Sequence, residues 1–182
     1  FKAFFKKEYG EDPSNFFNTS FAAPPLINGL LKTGDLDLGI NYWNYIAQLE
    51  AQGFKSIIYI EDILPVLGIN GDLPLIGYVF KEDLISKNSD LLRRFFQATH
   101  ESRKILEESD EEWKRIKKLT GAKDNEMLKT IREGFRKGIP KSNDEVLIKN
   151  VSKAYSILME IGGKKLVGEG RELAEGTIWN DK

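Results

Sequence analysis

An α/β lobe, in which helices cover a short, parallel-rich sheet, is the fold class that the sequence predicts, with a C-terminal helical segment after it. Three short runs of β-branched and aromatic residues alternate with helical patterns in the first 80 of the 182 residues. Beyond about Ser86 the apolar spacing is helical throughout. We therefore predict an α/β lobe at 1–80 and a mainly helical part at 81–182.

The first two predicted elements are helices with recognisable ends. The apolar spacing over residues 1–9 is helical, and Gly10 follows it where a helix commonly stops. Pro24 and Pro25 open the second helix, because the first turn tolerates the missing N–H of proline. Gly34 is the predicted end of that helix.

Strands and a further helix follow in alternation. Residues 36–40 alternate apolar and other side chains, as a short strand does, and residues 56–60 and 75–80 are rich in β-branched and aromatic types. Between the first two runs, an amphipathic stretch that begins at 41–45 ends at Gly53. The order of strands and helices is that of parallel α/β units, so these runs are predicted to form one sheet.

Four helices are predicted in the second half of the chain. Two begin at capping sequences, Ser109 to Glu112 and Ser142 to Glu145. The apolar stripes that mark the four helices are Leu92, Phe95 and Phe96; Trp113, Ile116 and Leu119; Met127, Leu128, Ile131 and Phe135; and Leu147, Val151, Ala154, Tyr155 and Leu158.

The composition excludes several classes of function. Basic and acidic residues number 27 and 28 and leave a net charge of -1, which argues against a nucleic-acid partner. No apolar run is long enough to span a membrane. The absence of cysteine removes disulfides and thiolate metal sites, and the single histidine, His100, flanks a helical stripe as a surface residue does. We predict no cofactor and no metal.

An enzymatic function has little support in the sequence. The chain carries no nucleophile elbow, no phosphate-binding glycine loop and no paired-histidine zinc motif. Glu61 and Asp62 come directly after a predicted strand, where α/β sheets place ligand sites, and they remain the one candidate pair for acid/base chemistry. We therefore predict no catalytic residue and keep these two carboxylates as the alternative.

The strongest candidate for a binding site is the run Asn41, Tyr42, Trp43, Asn44 and Tyr45. It places three aromatic rings and two amides at the carboxyl end of a predicted strand and the start of a helix, where open α/β sheets bind ligands. Rings can clamp a small organic molecule while amides orient it. The alternative is that Trp43 and Tyr45 are core residues of the helix.

A second candidate is the helix that begins at Pro24. A loop of small residues leads into it, and free N–H groups at a helix N-terminus favour an anionic or carbonyl group. The alternative is a helix that simply starts with proline and binds nothing.

Several segments, taken in order, carry a resemblance to a known family. They are Ala23-Pro24-Pro25-Leu26, Leu31 with Gly34-Asp35-Leu36-Asp37, Asn41-Tyr42-Trp43, Gln52-Gly53-Phe54, Gly77 to Leu84, and Ser89-Asp90-Leu91. In order and spacing they resemble the substrate-binding proteins of ABC transporters for nitrate, sulfonates, taurine and thiamine precursors. The resemblance covers nearly the whole chain, although Ser89 stands where the family commonly has proline.

The resemblance implies a periplasmic-binding-protein-like lobe. By this comparison, residues 1–80 form the second of two lobes, the chain returns to the first lobe near Tyr78, and the leading half of the first lobe is absent. Uncovered helical stripes would then favour an oligomer or a swapped dimer. The implied location is periplasmic or extracytoplasmic, and the implied partners are permease subunits of an ABC importer.

The resemblance and the candidate residues together predict capture of a small organic or anionic solute of the sulfonate, nitrate or pyrimidine type. Tyr42 and Trp43 would stack on the solute, Asn41 and Asn44 would hydrogen-bond to it, and Asn70 would contribute from its loop. Aromatic density favours a heterocycle over nitrate, which calls for basic groups. A sensing or protein-interaction module is the alternative from another class.

Overall fold

The computed structural model describes residues 1–179, and 61% of them are helical. The helices are α1 (Lys2–Tyr9), α2 (Pro24–Thr33), α3 (Trp43–Glu50), α4 (Ile60–Val66), α5 (Glu82–Glu108), α6 (Asp110–Arg115), α7 (Lys117–Thr120), α8 (Asn125–Lys137), α9 (Asp144–Gly162) and α10 (Lys164–Val167), with a short 3-10 helix at Pro13–Asn15. None of the helices described is long and apolar enough to cross a membrane.

The predicted α/β lobe with its parallel-rich sheet is wrong, because no residue from 1 to 179 belongs to a β-strand. The expected periplasmic-binding-protein-like sheet is therefore absent from this part of the chain. β-Branched and aromatic residues favour a pleated, half-buried surface, and such a surface exists only where neighbouring strands complete a sheet. Here most apolar side chains of the three runs are exposed, among them Leu38, Ile40, Ile57, Leu75, Ile76, Tyr78 and Val79.

One of the three runs is diverted into a helix by a local hydrogen bond. The Tyr59 N–H donates to Asp62 Oδ2 at 2.9 Å, and α4 begins at the next residue, Ile60. Glu61 and Asp62 fill the first turn of α4, where acidic groups favour a helix N-terminus. The last residue of the predicted strand at 56–60 is thus the first residue of α4.

Predictions that rest on local helix signals are confirmed. Gly10 and Gly34 end α1 and α2 with φ of 72° and 78°, values that glycine adopts without steric cost. Ser109 Oγ accepts the Glu112 N–H at the start of α6, and Asn143 Oδ1 accepts the Val146 N–H at the start of α9. The helical second half of the chain is likewise observed.

The chain divides into two compact units. The first unit consists of Phe1–Phe21, Ile57–Ile76 and the residues from Pro140 onward; the second consists of Ala22–Ser56 and Gly77–Ile139. Each unit therefore brings together segments that are distant in the sequence.

The core of the second unit forms where α3 packs on α8. Trp113 is buried in this core, donates its indole N–H to the Leu106 carbonyl at 2.6 Å, and lies edge-on to Phe135 with 5.3 Å between ring centroids. Arg132 and Arg136 of α8 each pair with Asp110 at 2.8 Å, which joins α8 to the first turn of α6. The other buried apolar residues of this core are Ala47, Met127, Leu128 and Ile131.

The first unit is organised around α9, which packs against α1 and α10. The turn before residue 75 is tied to the start of α9: Asp72 Oδ2 accepts the N–H groups of Lys141 and Ser142 at 2.7 and 2.6 Å. The hydrogen bonds from Ser142, and then the Lys141 N–H, lower the pKa of the Asp72 carboxyl. Asn150, which is buried in α9, donates to the carbonyls of both Asn70 and Asp72 at 2.8 Å.

Candidate functional site

The structure brings Pro24 and Asn41 together in one hydrogen-bonded network. Asn41 Nδ2 donates to the Pro24 carbonyl and to Asn28 Oδ1, each at 2.9 Å. Asn28 is buried and donates through its own Nδ2 to the Tyr45 carbonyl at 2.9 Å. Asn41 Oδ1 accepts the Tyr42 N–H at 2.9 Å. Both N–H groups of the Asn41 amide are therefore used inside the protein, and this residue supports the site.

The N-terminus of α2 has few donors to offer to an anion. Pro24 and Pro25 occupy its first two positions and carry no N–H. The next two N–H groups, from Leu26 and Ile27, both donate to the Ala23 carbonyl at 2.9 and 3.1 Å. The geometry thus favours the proline-started helix without a ligand over an anion-binding terminus.

Tyr42 and Trp43 stand at the surface at the start of α3. Tyr42 is the N-cap residue in an extended conformation and Trp43 is the first helical residue. Their side chains are 65% and 47% exposed. Because Asn41 holds the Tyr42 N–H, the backbone beneath both rings is fixed by the Asn41 network. Exposed rings on a fixed backbone are suited to stacking on a flat molecule.

One edge of Trp43 is seated on α8. Its ring lies 6.4 Å from that of Phe135, at an interplanar angle of 59°. The six-membered ring passes so close to Gly134 that a Cβ at this position would lie 3.3 Å from Trp43 Cε3. Gly134 therefore permits the close approach, and the contact restricts the ring while about half of it stays open.

Three polar groups around the rings are available to a ligand. Within residues 1–179, the Tyr42 hydroxyl, the Trp43 indole N–H and the Asn44 side-chain amide make no hydrogen bond. Asn44 is half-buried in the first turn of α3. We call Tyr42, Trp43 and Asn44 the platform. The platform offers two aromatic rings, one hydroxyl group, one indole N–H and one amide. These groups are suited to stacking on a ligand and hydrogen-bonding to it.

Asn70 is not among the residues that the second unit brings together, because it belongs to the first unit. Its backbone carbonyl accepts a hydrogen bond from Asn150 in the turn that Asp72 fastens to α9. Asn70 therefore contributes to the local structure of that turn.

The candidate carboxylates Glu61 and Asp62 lie in the first turn of α4. Asp62 caps α4 through the Tyr59 N–H. His100 is exposed on α5. Among the residues that the structure describes, no group of three or more His, Cys, Asp or Glu side chains is placed to hold a metal ion. Glu61 and Asp62 thus have a structural role at the start of α4, and acid/base chemistry at this pair stays the alternative prediction.

Two cavities lie in the first unit. One, of about 310 Å³, has a charged lining: Lys2, Lys6, Gly10, Glu11, Asp12, Glu160 and Ile161. The other, of about 190 Å³, is more apolar. It is lined by Pro74, Asp144, Leu147, Ile148, Val151, Ile178 and Trp179. The second cavity is a place that the sequence patterns did not indicate.

Sequence reasoning also missed the residues that support the platform. Asn28 interrupts an otherwise apolar helical pattern, and asparagine is unfavourable inside a helix unless its amide has a specific partner. Gly134 stands inside a helical stripe, where glycine costs stability unless a close contact requires it. Both exceptions were signals that an unusual contact was present.

Comparison with known proteins assigns no family. The sequence matches no family model and no curated protein.

Proposed function

We propose that the protein is located outside the cytoplasm. There it captures a small organic solute on the platform and delivers the solute to an ABC importer. The observation that carries this proposal is the open face of Tyr42 and Trp43 above a backbone whose hydrogen bonds are made. Transport and location are inferred from the motif order that resembles transporter substrate-binding proteins. The proposal depends on the platform and not on closure of two lobes.

The exposure of the platform is informative because the same unit buries another tryptophan. Trp113 shows that the core accommodates an indole and satisfies its N–H. Leaving Trp43 half-exposed forgoes apolar burial of roughly 25 cal/mol per Å². A ligand that covers the ring would recover part of this free energy, and a pre-positioned ring loses little entropy on binding.

The surroundings of the platform favour a planar heterocycle over nitrate or a sulfonate. Residues 34–54 contain no lysine or arginine, and the first two residues of α2 are prolines without an N–H. On α8, where Trp43 is seated, Arg132 and Arg136 are already paired with Asp110. Recognition of a small anion usually calls for free N–H or basic groups. The ring faces and the Asn44 amide instead match the flat surface and edge polar atoms of a pyrimidine-type molecule.

A binding screen tests this function. Thermal shift followed by calorimetry would compare pyrimidines, other heterocycles, sulfonates, nitrate and amino acids on the full chain, because a ligand specific for the folded state raises the melting temperature. We expect a heterocycle to bind, Trp43→Ala to weaken it at least tenfold, and Trp43→Phe to retain most of the affinity.

Phe21→Ala provides the matched control, since Phe21 is a fully exposed ring outside the platform. It should leave the affinity unchanged. Undiminished binding by Trp43→Ala would remove the platform from the proposal. A folded chain that binds none of these solutes would favour a protein-interaction module.

A further inference from the structure

Helix α5, which lies wholly within the second unit, carries two neighbouring stripes, and one of them is uncovered. The covered stripe is buried or half-buried and includes Leu92, Phe96, Thr99 and Leu106. The other is exposed along its length and consists of Leu91, Phe95, Ala98, Ser102 and Ile105. We call these five residues the α5 stripe. Its three large side chains, at positions 91, 95 and 105, are 53%, 43% and 51% exposed.

The α5 stripe has the spacing of a coiled-coil seam. Its residues follow one another at alternating intervals of four and three positions, which keeps one face of a helix turned toward a partner helix. The break in α5 at Asn88, with φ -145° and ψ 40°, lies before the stripe, so all five residues belong to one regular helical run. The covered stripe lies about a quarter of a turn around the helix. The rest of the second unit therefore flanks α5 and leaves the α5 stripe accessible.

We infer that two copies of the chain pair through the α5 stripe, with the two α5 helices antiparallel about a two-fold axis between positions 96 and 97. In this register Phe95 lies opposite Ala98 of the second copy, and Leu91 lies opposite Ser102 of the second copy. A large side chain thus meets a small one in each of these layers, which favours close packing of the two helices. The two-fold axis makes every contact occur twice.

Charges beside the α5 stripe favour a second copy as the occupant. Arg94 and Glu101 are exposed and lie one heptad apart on the border of the stripe that faces away from the covered side. The antiparallel register places Arg94 of each copy beside Glu101 of the other, so two pairs of opposite charge form. A shift of one heptad in either direction would bring Arg94 beside its own equivalent, or Glu101 beside its own equivalent. The charge pattern is therefore self-complementary in this register, as a two-fold interface requires.

The partners that these two side chains have within α5 do not prevent the exchange. Arg94 Nε lies 3.3 Å from Asp90 Oδ2, and the two side chains are 71% and 79% exposed. Glu101 Oε1 accepts a hydrogen bond from Gln97 Nε2 at 2.9 Å, also at the surface. Exposed pairs within one helix contribute little to stability, so a pair between copies can replace them at small cost. The inference is independent of solute binding, because the α5 stripe and the platform share no residue.

Analytical ultracentrifugation of the full chain tests the pairing. Phe95 also packs edge-on against Tyr78, with 5.0 Å between ring centroids, so the substitution is made at the exposed Ala98. We expect a dimer whose dissociation constant rises at least tenfold in Ala98→Lys, because the longer, charged side chain would lie against Phe95 of the second copy. His100→Lys is the control, since it adds a lysine at an exposed position of α5 outside the stripe. A monomer at every concentration, or a dimer on which both substitutions have the same effect, would overturn the inference.

Charge exchange tests the antiparallel register. At low salt, Arg94→Glu and Glu101→Arg should each weaken self-association at least threefold, because each brings like charges together across the axis. An equimolar mixture of the two single variants should associate more tightly than either alone, since opposite charges then meet at both pairs. The double variant should recover the dissociation constant of the unaltered chain. If the mixture associates no more tightly than either single variant, the pairing about positions 96 and 97 is wrong.

Discussion

Trp113 and Trp43 belong to the same unit and approach the same ring, Phe135, but they have opposite surroundings. Trp113 is 3% exposed, donates its indole N–H, and lies 5.3 Å from Phe135. Trp43 is 47% exposed, lies 6.4 Å from Phe135, and its indole N–H makes no hydrogen bond among the residues described. Trp113 therefore contributes its ring and its indole N–H to the core. Trp43 keeps an exposed ring face and an indole N–H that are accessible to another molecule.

The polar neighbours of the two indoles show the same division. Asn41 donates both amide N–H groups to acceptors in the protein, and Asn28 and Trp113 each donate one N–H. Asn44 resembles Trp43 in keeping its amide open. Substitutions at committed groups should therefore reduce stability, and substitutions at open groups should reduce binding.

The largest effect is expected at Trp113. Trp113→Ala should destabilise the protein by about 3–5 kcal/mol, because it leaves a cavity beside Phe135 and removes the donor to Leu106. Urea unfolding followed by circular dichroism measures this loss. The same experiment on Trp43→Ala should show a loss of about 1 kcal/mol or less. Equal losses in the free energy of unfolding would contradict the assignment of Trp113 to the core and of Trp43 to the binding surface.

Asn41 should behave as a supporting residue. Asn41→Ala removes the donors to Pro24 and to the buried Asn28, so we expect a loss of about 1–3 kcal/mol in the free energy of unfolding. Chemical denaturation with and without the ligand separates this loss from binding. A fully stable Asn41→Ala that no longer binds would place Asn41 in contact with the ligand.

Asp72 extends the test of committed groups to the first unit. Its carboxylate accepts hydrogen bonds from Ser142 and Lys141, which lower its pKa from the ordinary 3.8. A lowered folded pKa means that the stabilisation is present above the unfolded pKa and is lost as the pH falls through the folded pKa. Asp72→Asn should cost about 1–2 kcal/mol near neutral pH and less in acid. Denaturation from pH 7 to pH 2 checks this, and an unchanged acid response in Asp72→Asn would contradict it.

The smallest stability effect is expected at Asn44. Asn44→Ala removes an amide without a protein partner, so the free energy of unfolding should change by about 0.5 kcal/mol or less. Affinity for the solute should fall about fivefold to tenfold if the amide donates or accepts one hydrogen bond. Calorimetry measures the second quantity. A large stability loss with unchanged affinity would reverse the assignment.

Local signals in the sequence were enough to predict much of the helical structure. Gly34, Ser109 and Asn143 act on backbone groups within one turn, so their roles could be read from neighbouring residues. The sheet could not be predicted correctly, because a strand depends on a partner strand that is often distant in the sequence. Residues 75–80 have strand composition, but no strand forms within residues 1–179.

The candidate site was predictable in part. The run from Asn41 to Asn44 is brought together at one surface, and Pro24 joins it through the Asn41 amide. Sequence spacing could not show that this amide is already used, because its partner Asn28 lies thirteen positions earlier. Asn70 belongs to the other compact unit, and its part in the site stays a prediction.

The most direct measurement is ¹⁹F NMR of the protein labelled with 5-fluorotryptophan, titrated with the solute found in the screen. The chain has three tryptophans, and a Trp43→Phe sample would assign the resonance of Trp43. We predict that the solute shifts the Trp43 resonance and leaves the buried Trp113 in place. A shift at Trp179 with Trp43 unmoved would contradict the account and place the ligand in the apolar cavity of the first unit.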